Sequence, residues 1–588
     1  MPRRARTGLS RLWRYTEGRH GRIAFVMLLA ALSAAAPVAG WHLVGDAVDH
    51  GIRAHDEGRL ARDVAAYVGV NAAAWLLGTT TWLWLAGIGQ QVVYEVRRDL
   101  FDHLTSLSLR YFSEQKAGWI IARLTSDVDA LSDVLNQGLT TLVVNTLTLV
   151  AAIGGLFLLD WRLGLVALVV TPPGVVVTRW FQVTSHGAFS DVRTRIAAVT
   201  AQLAESVAGM AVVQAFNRER SFQSEFDALN EANRRANVHA QKLSSVFFPA
   251  IELLGTVATV AVLYAGSRLI DGGSLQIGTL IAAVGLLQLV FQPLQELSEL
   301  YGQVQSAAAA MEKISTILDA EQDIVDRPGA KPIGRVEGWL QLDRVTFAYG
   351  DEPVVHGLEI DVPPGGCIAL VGESGGGKST TAKLIARFYD PDEGAVRVDG
   401  VDLRDVQLRS YRRQLGVVLQ DPFLFSGTIA DNIRFAKPDA SDEEVRDAAA
   451  AIGVDRVAAR FQDGLDHVVR EGGAGLSAGE RQLISIARAL LADPRILILD
   501  EATSNIDRPS EILIEQAFDR LLAGRTSVII AHRLATVRRA DEILVVERGR
   551  IVQRGSEREL LAQAGPFRRL AQTLAGARPG AARARTPA

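Results

Sequence analysis

The segment 372-GESGGGKS-379 fits the pattern G-x-x-x-x-G-K-[ST] without a gap, between the apolar run 367-CIALV-371 and a helical pattern from Lys378 onward. Chemistry on phosphate groups uses such an arrangement. Glycines let backbone amides curl around the anion, and the start of the following helix adds its partial positive charge. Gly372, Glu373, Ser374, Gly375, Gly376, Gly377 and Thr380 belong to this cradle, Lys378 can reach the β- and γ-phosphates of ATP, and the Ser379 hydroxyl can ligate Mg²⁺. Further along, 496-ILILDE-501 is an apolar run ending in two carboxylates, which need a cation or a proton when buried. Asp500 would then hold Mg²⁺ through water and Glu501 would polarise an attacking water; a purely structural acid pair is the bland alternative. In 530-IAHR-533, His532 follows a predicted strand and could contact a γ-phosphate, although such a histidine alone would be read as structural.

The elements that must position these groups begin past a charged, Pro- and Gly-punctuated linker, 319-DAEQDIVDRPGAKPIGRVEG-338. From there short β-branched runs alternate with helical patterns, which predicts an α/β domain over 339–573. Within it, 477-SAGE-480 is a Ser-x-x-Glu capping box at the start of a helix. A carboxylate at Glu480 suits the helix dipole but would repel an anion if it turned inward, and Ala478 would be strained if its position needed a positive φ. The single cysteine, Cys367, excludes internal disulfides and reads as a small buried hydrophobe in a strand. A net charge of −4 gives no sign of a nucleic-acid binder.

The 48% of hydrophobic residues are unevenly spread, with the long apolar runs before about residue 305. Segments of about 20 residues, enough to cross a bilayer, occur at 23–45, 65–89, 139–159, 162–181, 246–268 and 275–297. The expected fold is therefore multidomain: a six-helix all-α transmembrane domain over 1–305, a connecting helix and linker over 306–338, the α/β domain, and a disordered tail over 574–588. Arg3, Arg4, Arg6, Arg11, Arg14, Arg19 and Arg22 precede the first span, which keeps the N-terminus and the α/β domain cytoplasmic in an inner (plasma) membrane. The segments 90–138 and 182–245 then lie inside, with helical stripes such as Leu100, Leu104, Leu107 and Tyr111, and with bends expected at 113–118 and 209–219. On the last span, Gln288, Gln292, Gln295 and Glu299 form a polar stripe beside Pro293, read as lining a water-filled path or as bonding between helices. Glu252 could meet a cationic cargo or sit among inner headgroups, while His42 and Asp46 are interfacial.

The order of P-loop, 475-GLSAGERQ-482, 496-ILILDEATSNID-507 and IAHR resembles an ATP-binding cassette ATPase, and the spans before it make the chain to about residue 573 resemble an exporter-type ABC half transporter. The segment 121-IARLTSDVDAL-131 also fits that family's membrane domain. The resemblance implies that Tyr349 stacks on adenine, that Gln420 links Mg²⁺ to the membrane domain, and that Asp507 communicates between sites. It also implies that two cassettes close head to tail, so that Ser477 and Gly479 contact the γ-phosphate held by the opposite P-loop. The expected cofactors are ATP and Mg²⁺, and the catalytic residues Glu501, His532 and Lys378. The expected partners are the membrane, a small amphipathic substrate or lipid, and a second half transporter. A heterodimer is favoured because 504-SNID-507 resembles the catalytically complete subunit of heterodimeric exporters, with this chain's altered signature at a slow site; a homodimer is the alternative. The implied function is ATP-driven export of drugs or lipids by alternating access. Siderophore or other import on the same fold, or a non-transporting regulatory ATPase, are the other readings.

Overall fold

The computed structural model describes residues 11–500, 508–531 and 533–576. It divides into two compact units, Met1–Ser106 with Lys116–Ala320, and Leu107–Gln115 with Glu321–Ala588.

In the first unit six long helices follow the apolar runs: α1 (His20–Asp46), α2 (Glu57–Ser106), α3 (Leu139–Leu159), α4 (Trp161–Ala208), α5 (Glu219–Asp271) and α6 (Ile277–Leu318). By length and composition His20–Ile52, Ala117–Leu159 and Glu219–Asp271 are apolar enough to cross a membrane, and Ile277–Pro293 is a shorter apolar stretch. Buried Val26, Ala30 and Ala34 recur at four-residue spacing on α1, and Leu100 and Leu104 continue a buried stripe down α2 well past the apolar run. Leu156, Leu163, Phe247, Ile251, Leu286 and Leu287 form the common core of α3 to α6, where Phe181 and Phe247 stack at 4.1 Å. The Asp49 carboxylate, just beyond α1, accepts the amides of Gly278 (2.7 Å) and Thr279 (3.1 Å) and so caps the start of α6. Of the expected bends, 209–219 holds the short helix Met210–Ala215, and within 113–118 the chain breaks at 115–116, between the short helices Leu109–Glu114 and Ala117–Ala122. Leu107–Gln115 belongs to the second unit, where the Ser108 hydroxyl donates to Asp323 at 2.8 Å and the Arg110 guanidinium lies 5.9 Å from the Tyr389 ring.

Among the described residues the second unit has twelve strands: β1 (Leu340–Tyr349), β2 (Glu352–Val362), β3 (Cys367–Val371), β4 (Glu393–Val398), β5 (Val401–Asp402), β6 (Leu415–Val418), β7 (Gly427–Thr428), β8 (Val468–Val469), β9 (Ile496–Asp500), β10 (Thr526–Ile530), β11 (Glu542–Glu547) and β12 (Arg550–Gly555). The central sheet runs β12-β11-β3-β10-β9-β6 and is parallel except for β12, while β2-β1-β4-β5 makes a separate antiparallel sheet. The inner parallel strands are continuous apolar runs because both faces are covered. Val345 and Phe347 pack with Ile368 and Leu370 on one side, and Leu483, Ile486 and Phe518 pack with Ala369 and Leu499 on the other. Burial and the nearby Asp541 push the Cys367 thiol up to about 12, so it stays a neutral thiol. The last helix, Pro566–Gly576, reaches three residues into the stretch expected to be a disordered tail, the rest of which lies outside the described residues.

Candidate functional site

Parallel strands point their carboxyl ends to one edge of a sheet, and that edge gathers the chemistry-bearing residues here. β3 ends at Val371 and gives way to the P-loop, β9 ends on Asp500, and β6 ends at Val418, two residues before exposed Gln420. β10 separates β3 from β9, with Ile530 opposite both Leu370 and Asp500. The loop after β3 therefore faces Asp500 across one strand. Glu501, Asp507 and His532, which follow β9 and β10 in sequence, lie outside the described residues.

The P-loop owes its course to glycines where another residue would not fit. Gly372 has φ +145°, and a Cβ there would stand 2.1 Å from the Val546 carbonyl oxygen; Gly377 has φ +101° and begins the helix Lys378–Ile385. Lys378 is 5% exposed, and its ammonium donates to the carbonyls of Gly372 (2.9 Å) and Glu373 (2.7 Å). Burial lowers its pKa from the ordinary lysine value, with Asp500 acting in the opposite direction. Gly376, Gly377 and Thr380 are buried, whereas Glu373, Ser374, Gly375 and Ser379 are exposed at the rim. The Tyr349 hydroxyl is 3.4 Å from that of Thr380, and its ring meets Phe347 at 5.0 Å and Tyr389 at 5.3 Å edge-on. A glycine cradle, a buried cation folded back onto its own loop, an exposed hydroxyl and a facing carboxylate fit a nucleoside triphosphate with a hard divalent cation.

At 477–480 the capping box is present in full. Ser477 Oγ accepts the Glu480 amide at 3.2 Å and Glu480 Oε2 accepts the Ser477 amide at 2.8 Å. Glu480 is only 7% exposed, and its other oxygen pairs with Arg460. The carboxylate therefore turns into the fold. Ala478 begins the helix and is not among the described residues with positive φ, so its methyl group meets no strain. Ser477 remains exposed, Gly479 is buried, and no described hydrogen bond or ion pair joins 477–480 to the P-loop of the same chain.

Comparison with known proteins agrees with both halves. The ABC transporter transmembrane region matches residues 23–294, and the ABC transporter family matches 355–504. The chain is 37% identical over 485 residues, 82% of its length and 80% of the relative's, to the uncharacterised ABC transporter ATP-binding protein YknV of Bacillus subtilis. This chain belongs to the ABC transporter family. It is also 34% identical, over 82% of its length and 81% of the relative's, to an ATP-dependent lipid A-core flippase of Syntrophus aciditrophicus. The structure of a bacterial Atm1-family ABC exporter with ATP bound superposes with a TM-score of 0.80 at 27% identity, covering 95% of this chain and 99% of that one. The transporter is thus a multi-pass membrane protein of the exporter type, with an ATP-hydrolysing domain fused behind its transmembrane region and facing the cytoplasm.

In the transmembrane region Gln288 is exposed and lines a hollow of about 400 Å³ with Trp41, Leu263 and Gly285. Gln292 is exposed as well, but it donates to Glu296 (3.1 Å), a residue off the expected stripe, and Glu296 also accepts from buried Asn145 at 2.7 Å. The side chains of Gln295 and Glu299 lie outside the described residues. Glu252 is exposed, and Asp46 pairs with Arg59 at 3.2 Å. Sequence reasoning missed Arg460 and the Asn145–Glu296 bond. The one signal for the bond was an asparagine inside the apolar run 142-LVVNTLTLV-150.

Proposed function

We propose that the chain is one half of a dimeric exporter that moves amphipathic drugs or lipids out of the cytoplasmic leaflet, with all six long helices crossing the membrane. The observation that carries the dimer is that Lys378 and Asp500 stand at the sheet edge while an exposed Ser477 starts another helix, with no described hydrogen bond or ion pair joining Ser477 to the P-loop. Each cassette thus offers two half-sites that a second cassette completes. The lipid A-core flippase named above supports a lipid-like cargo, and the hollow beside Gln288 offers apolar walls with one polar group.

On this reading, backbone amides of 373–380 and the Lys378 ammonium hold the β- and γ-phosphates while Tyr349 packs against the adenine. Ser379, Gln420 and Asp500 would hold Mg²⁺, which neutralises charge developing on the phosphates. Glu501 orients and polarises the attacking water, and His532 steadies the γ-phosphate. Ser477 and Gly479 close on the nucleotide of the opposing chain, and Asp507 connects the two sites. The chemistry is positional and electrostatic, as phosphoryl transfer allows. We keep the heterodimer as the favoured assembly on the strength of 504-SNID-507, with Glu501 at one site and this chain's signature at the other. The geometry of Ala478 and Glu480 gives that signature no built-in defect. ATPase activity of the chain alone and with its genomic neighbour, each with Glu501→Gln, tests the assignment. Activity restored only by the neighbour is expected; full activity alone would establish the homodimer.

A further inference from the structure

Two adjoining hollows in the transmembrane unit share Ile88 and use none of the residues assigned to nucleotide. The larger, about 730 Å³, is walled by Ile23, Met27, Leu85, Val92, Leu135 and Leu139, from α1, α2, the helical segment leading into α3 and the first residue of α3. Its polar lining comes from one short stretch, Arg14, Thr16 and Glu17, in and after the 3₁₀ turn Trp13–Thr16 that precedes α1. The smaller, about 470 Å³, presents Arg19, Arg22, Trp84 and Gln91. Arg19 is engaged by Glu95 and by the Tyr15 carbonyl. Among the described residues, the Arg14 and Arg22 side chains make no hydrogen bond or ion pair, and Glu17 and Glu95 leave the three arginines in excess.

An apolar cleft with the Arg14 guanidinium in its lining, and Arg22 in the adjoining hollow, complements an amphiphile with hydrocarbon chains and an anionic head. Its place at the basic cytoplasmic end of the first apolar helix puts that head at the level of the inner headgroups. The volume falls in the range of ligand pockets, roughly 300–1,000 Å³, which suits an acyl chain with its glycerol end rather than a small free anion. We propose that this cleft binds one anionic glycerophospholipid of the cytoplasmic leaflet, with an acyl chain against Met27, Leu85 and Leu139 and its phosphate held by Arg14 and Arg22. The lipid is a resident of the transporter, distinct from its cargo, so the inference does not rest on which amphiphile is exported. Arg11–Asp319 (3.0 Å) and Arg19–Glu95 already tie the same N-terminal stretch to the end of α6 and to α2, so an occupant would steady a stretch that bridges helices.

The test is native mass spectrometry of the full chain in its native assembly, delipidated and titrated with phosphatidylglycerol or phosphatidylcholine, with inorganic phosphate as competitor. One phosphatidylglycerol per copy of this chain should bind in preference to phosphatidylcholine. R14Q/R22Q should weaken it about thirtyfold, since each of the two interfacial basic residues contributes on the order of 1 kcal/mol. L139W should exclude both lipids by filling the cleft, and millimolar phosphate should not displace the lipid. Should L139W fail to fold, the exposed arginine pair still decides the matter. Equal binding of the two lipids, an unchanged affinity in R14Q/R22Q, displacement by phosphate alone, no retained lipid because protein fills the cleft, or loss of the lipid at the rate of ATP turnover would each overturn the proposal.

Discussion

The Glu480 carboxylate is held between the Ser477 amide and the Arg460 guanidinium, so the one acidic residue of the signature segment is neutralised inside its own cassette. Glu480→Gln keeps an oxygen for the Ser477 amide and gives up only a pair with a largely exposed arginine, a class of interaction worth about 0.2–1 kcal/mol. ATPase of the assembled transporter should stay within about threefold of wild type. Glu480→Ala removes half of the capping box and should cost about 1 kcal/mol of cassette stability, read as a lower unfolding midpoint. Ser477→Ala removes both a cap and the hydroxyl proposed to face the opposing nucleotide, and kcat should fall by roughly 10²–10³ with little change in nucleotide affinity at the P-loop.

Lys378 is buried and its pKa is depressed, chiefly by that burial. Between the folded and unfolded pKa values the unfolded chain binds the extra proton, so stability without nucleotide rises with pH through that alkaline window. ATP supplies a counter-anion and favours the ammonium, so nucleotide-induced stabilisation should shrink as pH climbs through the same window. Thermal unfolding with and without ATP at neutral and alkaline pH checks this. Lys378→Met should lose both the ATP effect and its pH dependence.

How far each feature was legible depended on the distance in sequence over which it is encoded. The P-loop is local, and its strand, glycines and helix could be read directly from 367–385 because each residue type has a backbone reason to be there. The capping box at Ser477 was legible for the same reason. Arg460 was not, since it meets Glu480 from a turn 20 residues away in sequence, and charge alone does not name a partner. The Asn145–Glu296 bond spans 151 residues, and the polar stripe drawn on α6 passed Glu296 by. Six apolar runs all became long helices, and among the described residues three stretches are long and apolar enough to cross a membrane on hydropathy and length.

Glycines in α6 allow a paired experiment. A Cβ on Gly285 would stand 2.2 Å from the Trp41 ring, whereas one on Gly302 would meet nothing within 4 Å. Gly285→Ala should push α1 from α6 and destabilise the transporter by roughly 1–3 kcal/mol. Gly302→Ala should be neutral or slightly stabilising, because alanine favours a helix by up to about 1 kcal/mol. Unfolding midpoints in lipid nanodiscs separate the two.

Glu296 accepts from both Asn145 and Gln292 within the transmembrane region. Asn145→Leu leaves it with Gln292 alone and should cost about 0.6–1.7 kcal/mol, the scale of hydrogen bonds between membrane helices. The loss should be smaller when combined with Glu296→Leu than the two single losses added together. A double-mutant cycle on the unfolding midpoint measures that coupling.

The central claim, that hydrolysis at the P-loop drives cargo out of the cytoplasmic leaflet, is tested most directly by ATP-dependent flux in inside-out vesicles carrying the assembled transporter. A fluorescent lipid or amphiphilic dye should move into the lumen with wild-type protein and ATP, and should not move with Lys378→Met or Glu501→Gln. Hydrolysis that proceeds while no tested amphiphile moves inward, or flux in the opposite direction, would contradict it.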